Sequence, residues 1–86
     1  MKIALDYDYT YTEDPKFWDA FINLVLSYGY EIVCVTMRFP EEPCTIPCPV
    51  IYTSRKAKQP YVESQNINID VWIEDKPHDL LNDAEH

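Results

Sequence analysis

Four short apolar runs occur along the chain, and each one ends in polar residues. They span residues 3–6, 31–36, 50–53 and 71–73. Short runs rich in aliphatic and β-branched residues, bounded by polar ones, are typical of strands buried on both faces of a sheet. The pattern therefore predicts four buried strands.

Between the first two runs, apolar residues recur at the spacing of an α-helix. Its apolar positions are Phe17, Phe21, Leu24, Val25 and Tyr28. Asp14 can cap free N–H groups at the helix start, and Pro15 suits the first helical position, where a missing N–H costs nothing. Gly29 supplies the left-handed residue that commonly ends a helix. The first unit is therefore predicted to be a strand, a polar loop and a helix.

The later connections are shorter or irregular. Four of the seven prolines lie between residues 38 and 49. Because proline breaks helices, we expect an irregular crossover there, with at most one helical turn. Short helices are predicted at residues 60–65 and 77–83, and residues 84–86 are expected to fray.

This order of elements predicts one α/β domain over residues 1–86, a three-layer Rossmann-like arrangement with a four-stranded parallel sheet. Strands joined by a crossover lie parallel, and ligands bind at their carboxyl ends. Each predicted strand is followed by polar residues at that edge. They are Asp6, Asp8, Thr36, Arg55, Lys56, Lys58, Glu74 and Asp75. Four strands that each bring polar groups to one edge are the pattern of a site.

Asp6 and Asp8 carry the clearest chemical signal. In a straight strand, residues two apart project to the same side, so the two carboxylates would lie close together. Like charges at that distance need a cation or a shared proton to offset their repulsion. The pair is therefore a candidate for divalent-metal and phosphate chemistry. The alternative is an acidic loop after a strand.

Charge and composition limit the partners. The net charge of −8 argues against duplex nucleic acid, since there is no basic face to neutralise phosphates. Arg55, Lys56 and Lys58 gather in one segment, which could hold a small anion or could be a solvated basic turn. No apolar run approaches the roughly 18 residues of a membrane span. The N-terminus lacks the features of a signal peptide, so we expect a cytoplasmic protein.

Taken in order, these motifs resemble the haloacid dehalogenase (HAD) superfamily across nearly the whole chain. Its first motif, an apolar run followed by Asp-x-Asp-x-Thr, matches residues 3–10. Its second, an apolar strand ending in Ser or Thr, matches residues 32–36. Its third motif is a lysine at the start of a helix, which in this chain is Lys58 or Lys56. Its fourth, an apolar strand ending in paired acids, matches residues 71–75.

The resemblance implies a Mg²⁺-dependent phosphatase. Asp6 would be the nucleophile that forms an aspartyl-phosphate, and Asp8 the general acid and base. The phosphoryl oxygens would be bound by Thr36 and a lysine, with Arg55 in the same basic segment. Mg²⁺ would lie among Asp6, the carbonyl of Asp8 and the paired acids Glu74 and Asp75.

Two departures from the family leave alternatives open. Tyr9 stands where family members often carry glycine, and the short stretch after it implies a capless, open site. Such a site takes a large substrate, is closed by a second copy in a homo-oligomer, or only binds its ligand. Tyr7, Tyr9 and Tyr11 could stack on a nucleobase, although packing is the more common use of tyrosine.

Two functions follow from these motifs. The first is hydrolysis of a phosphomonoester, which could be a nucleotide. The second is a catalytically silent protein that sequesters a nucleotide or a nucleotide-derived signal, as a viral protein in the host cytoplasm would. A structural protein that keeps a relic of the site is a third reading.

Overall fold

The computed structural model describes residues 1–84, in which strands and helices combine in an α/β fold. Its strands are β1 (Lys2–Leu5), β2 (Glu31–Thr36), β3 (Val50–Tyr52) and β4 (Val71–Ile73). Its helices are α1 (Pro15–Ser27), α2 (Lys58–Ser64) and α3 (His78–Leu81), with a 3-10 turn at Tyr11–Glu13.

The four strands of the described chain form one sheet, in the order β3, β2, β1, β4. Every neighbouring pair is parallel. The predicted four-stranded parallel sheet is therefore confirmed. Asp6 directly follows β1, and Glu74 directly follows the neighbouring β4, so both lie at the carboxyl edge.

The two faces of β1 are buried against different helices. Ile3 and Leu5 belong to a core cluster that includes Ile22 and Val25 of α1. Between them in the chain, Ala4 belongs to a second cluster with Val62 of α2. This alternation explains why β1 reads as a continuous apolar run, because both of its faces need apolar side chains.

Helix α1 begins and ends as its flanking residues predict. The Asp14 carboxylate accepts a hydrogen bond from the Phe17 N–H at 3.2 Å, and Gly29 has a φ of 78°. Helix α2 begins at Lys58, two residues before the predicted start. Pro60 is tolerated as its third residue, because the first N–H groups of a helix have no partner within it.

The crossover between β2 and β3 is irregular, as predicted, and two tyrosines hold it. The Tyr7 hydroxyl accepts a hydrogen bond from the Thr45 N–H at 3.2 Å, and the Tyr52 hydroxyl accepts one from the Cys44 N–H at 3.0 Å. Both bonds tie the crossover to residues that follow or end a strand, which places it beside the carboxyl edge.

The C-terminal segment packs back on the domain. Ala84 N–H donates to the Arg55 carbonyl at 2.8 Å, so the predicted fraying is wrong for Ala84. The other two residues of that prediction, 85 and 86, lie outside the described residues. Within residues 1–84, no helix combines the length and the apolar character that crossing a membrane needs.

Candidate functional site

Asp6 is the buried centre of the candidate site. Its backbone N–H donates to the Ile73 carbonyl of β4 at 2.9 Å, which fixes it just beyond the end of β1. The residue is only 6% exposed. A buried carboxylate without partners would be strongly disfavoured, so the groups around Asp6 decide its chemistry.

Lys58 is the principal partner of Asp6. Its Nζ lies 2.7 Å from Oδ1 of Asp6 and 2.6 Å from Oε1 of Glu74. The lysine is 2% exposed, so the ammonium compensates two shielded carboxylates. An ammonium has three N–H donors, and these bonds use two of them. The lysine predicted to bind phosphoryl oxygens is therefore held against Asp6, the residue predicted to be the nucleophile.

Three carboxylates meet at this edge of the sheet. Oxygen atoms of Asp6, Glu74 and Asp75 all lie within 4.8 Å of one another. Asp6 is buried, Glu74 is half-buried and Asp75 is exposed. Three negative charges against the one positive charge of Lys58 leave a formal −2. Hard oxygen donors suit Mg²⁺, so this acidic triad could hold a divalent ion.

The pKa values of Asp6 and Asp75 are shifted in opposite directions. Burial, and then the hydrogen bond with Asp75, raise the pKa of Asp6 to about 7, although Lys58 acts in the opposite direction. The same hydrogen bond lowers the pKa of Asp75, against a smaller effect of burial. At these two neighbouring carboxyls, Asp6 therefore takes up a proton more readily than Asp75 does.

Lys58 stays charged in spite of its burial. Burial lowers the pKa of Lys58, but the charges and hydrogen bonds of Asp6 and Glu74 outweigh burial and raise the pKa overall. Burial also raises the pKa of Glu74, and Lys58 partly offsets that effect. The ammonium is therefore a permanent part of the site.

The Thr10 hydroxyl contacts two carboxyls of the triad, a role that was not predicted from the sequence. Its Oγ1 lies 3.1 Å from Oδ2 of Asp6 and 3.5 Å from Oδ1 of Asp75. A hydroxyl has one proton to donate, so it serves one of the two carboxyls at a time. The signal was present in the sequence, because Thr10 ends the Asp-x-Asp-x-Thr motif.

Asp8 lies in a second cluster beside the triad. Its two oxygens accept from Nε and Nη2 of Arg38, at 2.9 and 2.7 Å. The Asp8 carboxylate is therefore not among the triad of possible metal ligands, and the predicted role of its backbone carbonyl stays a prediction. Arg38 was not predicted as a site residue; its only signal is its position two residues after Thr36.

Contacts with Tyr7 and Thr36 also hold Arg38 in place. Its guanidinium lies over the Tyr7 ring, 5.0 Å from the ring centroid. The hydrogen bond to Asp8 raises the pKa of Arg38 further above its ordinary value. The backbone N–H of Arg38 donates to Oγ1 of Thr36 at 3.2 Å, and Thr36 is 2% exposed. Thr36 thus lies at the same edge as predicted, with its hydroxyl engaged.

The other two predicted phosphate-binding cations do not contact Asp6. Arg55 donates to the Met37 carbonyl at 2.9 Å and to Glu42 at 3.4 Å. The Lys56 side chain is 68% exposed, with its Nζ 3.9 Å from Asp83. Of the two lysines that could fill the third motif, Lys58 is the one the structure brings to Asp6.

The three tyrosines that follow β1 have different environments. Tyr11 is buried and its hydroxyl donates to Asp19 at 2.7 Å, so of the two uses considered for Tyr11, packing and stacking on a base, the structure shows packing. Tyr7 stacks on Tyr11, with 5.7 Å between ring centroids. Tyr9 is 75% exposed and has a φ of 63°, a left-handed conformation uncommon for a bulky residue. Only Tyr9 presents most of its side chain to solvent.

Comparisons with protein-family models, with curated proteins and with solved structures find no match to this chain. The HAD resemblance therefore stays a prediction from the sequence motifs.

Proposed function

We propose that the chain is a Mg²⁺-dependent HAD-like phosphatase that hydrolyses a phosphomonoester through an aspartyl-phosphate on Asp6. The proposal includes a three-layer Rossmann-like arrangement of the domain. The observation that carries it is the environment of Asp6, a buried carboxyl held between Lys58 and the acids Glu74 and Asp75. That environment combines a fixed nucleophile, a permanent cation and a set of oxygen donors at one sheet edge.

In the first half-reaction, an Asp6 carboxylate oxygen forms a bond to phosphorus. The bond from phosphorus to the ester oxygen breaks, and the leaving oxygen takes a proton from Asp8. Lys58 fixes Asp6 through Oδ1, and its positive charge offsets the charge that gathers as the phosphoryl group is transferred. The products of this step are the free alcohol and a phosphorylated Asp6.

In the second half-reaction, Asp8 accepts a proton from water as the water oxygen attacks phosphorus. The bond between Asp6 and phosphorus then breaks, which releases inorganic phosphate and restores both carboxyls. The triad residues Asp6, Glu74 and Asp75 would hold Mg²⁺. A bound Mg²⁺ supplies positive charge that lets an anionic nucleophile approach an anionic phosphate.

One observation favours the alternative function, sequestration of a ligand without turnover. Both oxygens of Asp8 are engaged by Arg38, and a charge-assisted bidentate pair of this kind is strong. Asp8 must leave this pair before it exchanges protons with a substrate. A protein in which the pair never opens would bind a phosphorylated ligand and keep it intact.

A nucleotide is the ligand class that we favour for either function. Tyr9 lies between the site residues Asp8 and Thr10, and its exposed ring offers a flat surface for a base. Within this proposal the protein is cytoplasmic, in the host cell if it is viral. A second copy of the chain could close the open site.

Incubation with a panel of nucleotides and sugar phosphates plus Mg²⁺ tests the proposal. Both released phosphate and ligand retained by the protein are measured after denaturation. Release of phosphate by wild type, and none by Asp6→Asn, supports the phosphatase. Recovery of unaltered ligand, with no phosphate from any compound, overturns the phosphatase and supports sequestration.

A further inference from the structure

We propose that Arg38 is an anion-binding residue of this site, which takes an oxyanion of the ligand on the edge of its guanidinium that Asp8 leaves free. The inference rests on the proposed phosphate site and adds to it a residue that none of the four motifs includes. Asp8 thereby gains a positioning role towards Arg38 in the ligand-free protein.

Within residues 1–84, the hydrogen bonds of the Arg38 guanidinium leave two of its N–H donors without an acceptor. Arginine has five N–H donors. Nε and Nη2 of Arg38 donate to the two oxygens of Asp8, and Nη1 makes a long 3.4 Å bond to the Glu42 carbonyl. Among residues 1–84, no acceptor engages the remaining N–H on Nη1 or on Nη2. These two terminal nitrogens form the second edge of the guanidinium, which matches the spacing of two phosphate oxygens.

The inner contacts make this edge rigid before a ligand arrives. Asp8 fixes the plane of the guanidinium, the Tyr7 ring lies against its face, and the Arg38 backbone is bonded to Thr36. A side chain that is already ordered loses little entropy when it binds an anion. Arg38 is therefore preorganised, whereas an exposed lysine such as Lys56 is not.

The side chains of Arg38 and Asp8 are partly exposed to solvent. The Arg38 side chain is 30% exposed and that of Asp8 is 43% exposed, whereas the pair of Lys58 and Asp6 is shielded. The site therefore has one buried cation, Lys58 beside Asp6, and one partly exposed cation, Arg38 beside Asp8.

The chemistry allows two sources for the anion. It is either the phosphoryl group that reacts at Asp6 or a second phosphate of the same ligand. Equilibrium titration with inorganic phosphate and with ADP, each in the presence of Mg²⁺, separates these sources. The variants are Arg38→Met, Arg38→Lys and Asp8→Asn. Lys16→Met is the matched control, since Lys16 is exposed on α1 and its replacement changes net charge equally.

We expect Arg38→Met to weaken binding at least about tenfold, the effect of losing charge-assisted hydrogen bonds. Arg38→Lys should recover only part of the affinity, because it restores the charge without the planar edge. Asp8→Asn should also weaken binding, and it should add little when combined with Arg38→Met. Equal losses for inorganic phosphate and ADP identify the reacting phosphoryl, whereas a loss confined to ADP identifies a second phosphate.

Unchanged affinity for both probes in Arg38→Met, or a loss no greater than in Lys16→Met, overturns the inference. Such a result leaves the phosphatase intact if wild type still releases phosphate and Asp6→Asn does not. Conversely, binding that depends on Arg38 without any turnover supports the inference and overturns the phosphatase. Failure of wild type to bind either probe overturns the inference and the phosphate site together.

Discussion

Nζ of Lys58 lies 2.7 Å from Oδ1 of Asp6, and the two side chains are 2% and 7% exposed. An ion pair so well shielded from water is sensitive to the loss of either partner. Here the lysine comes from the start of α2 and the aspartate from the end of β1. The pair therefore links the site to the packing of the domain.

Lys58→Met should destabilise the protein by about 3–5 kcal/mol, because it leaves Asp6 and Glu74 buried without their cation. Lys56→Met is the matched control. Its exposed side chain predicts a change within about 0.5 kcal/mol. Urea unfolding of both variants measures the difference. A Lys58→Met protein as stable as Lys56→Met would contradict the buried pair.

The pH dependence of stability reports on Asp6 in the metal-free protein. Its folded-state pKa is raised from 3.8 to about 7, so the folded state binds this proton more tightly than the unfolded chain. The stability from Asp6 is therefore fully present below pH 3.8 and is lost as the pH rises to about 7. In EDTA, wild type should lose stability over this range relative to Asp6→Asn. Parallel curves for the two proteins would show that Asp6 does not titrate there.

Mg²⁺ should stabilise the folded protein through the acidic triad. A ligand at a hundred times its dissociation constant contributes about 2.7 kcal/mol, which raises Tm by roughly ten degrees in a domain of this size. Asp75→Asn should relieve repulsion in the metal-free protein and remove most of the Mg²⁺-dependent rise. Thermal unfolding in Mg²⁺ and in NaCl of equal ionic strength distinguishes a bound ion from screening. An equal rise in both salts would rule out the metal site.

Tyr9→Asn tests the stacking of a nucleobase. Asparagine tolerates the left-handed φ of 63°, so this change removes the ring without straining the backbone. Affinity for AMP should fall several-fold, while affinity for inorganic phosphate should not change. Tyr28→Asn, which removes another exposed ring at the end of α1, is the control. If wild type, Tyr9→Asn and Tyr28→Asn bind AMP with equal affinity, Tyr9 is not part of the ligand site.

Local patterns predicted most of the fold. The predicted bounds of β2 and β4 are those observed, because each is a continuous apolar run with clear polar ends. The 3-10 turn at Tyr11–Glu13 was not predicted. Short 3-10 turns have no apolar period of their own, and this one forms where the chain turns back after Asp8.

The sequence predicted which residues lie at the site better than it predicted which of them bind to each other. Asp6, Glu74 and Asp75 meet because parallel strands end at one edge, which the order of elements already implies. The bond between Arg38 and Asp8 joins residues 30 apart in the chain. No periodicity in the sequence encodes a pairing of side chains so far apart, or the left-handed conformation of Tyr9 beside Asp8.

A phosphorylated Asp6 is the most direct evidence for the proposed reaction. Wild type and Asp6→Asn are mixed with Mg²⁺ and a phosphomonoester that wild type hydrolyses, and then quenched in acid within the first turnover. Intact-protein and peptide mass spectrometry then measure the added mass. We expect one phosphoryl group on the peptide that contains Asp6 in wild type, and none in Asp6→Asn. Phosphate release by Asp6→Asn at the wild-type rate, or a phosphoryl group on another residue, would contradict the assignment of Asp6 as the nucleophile.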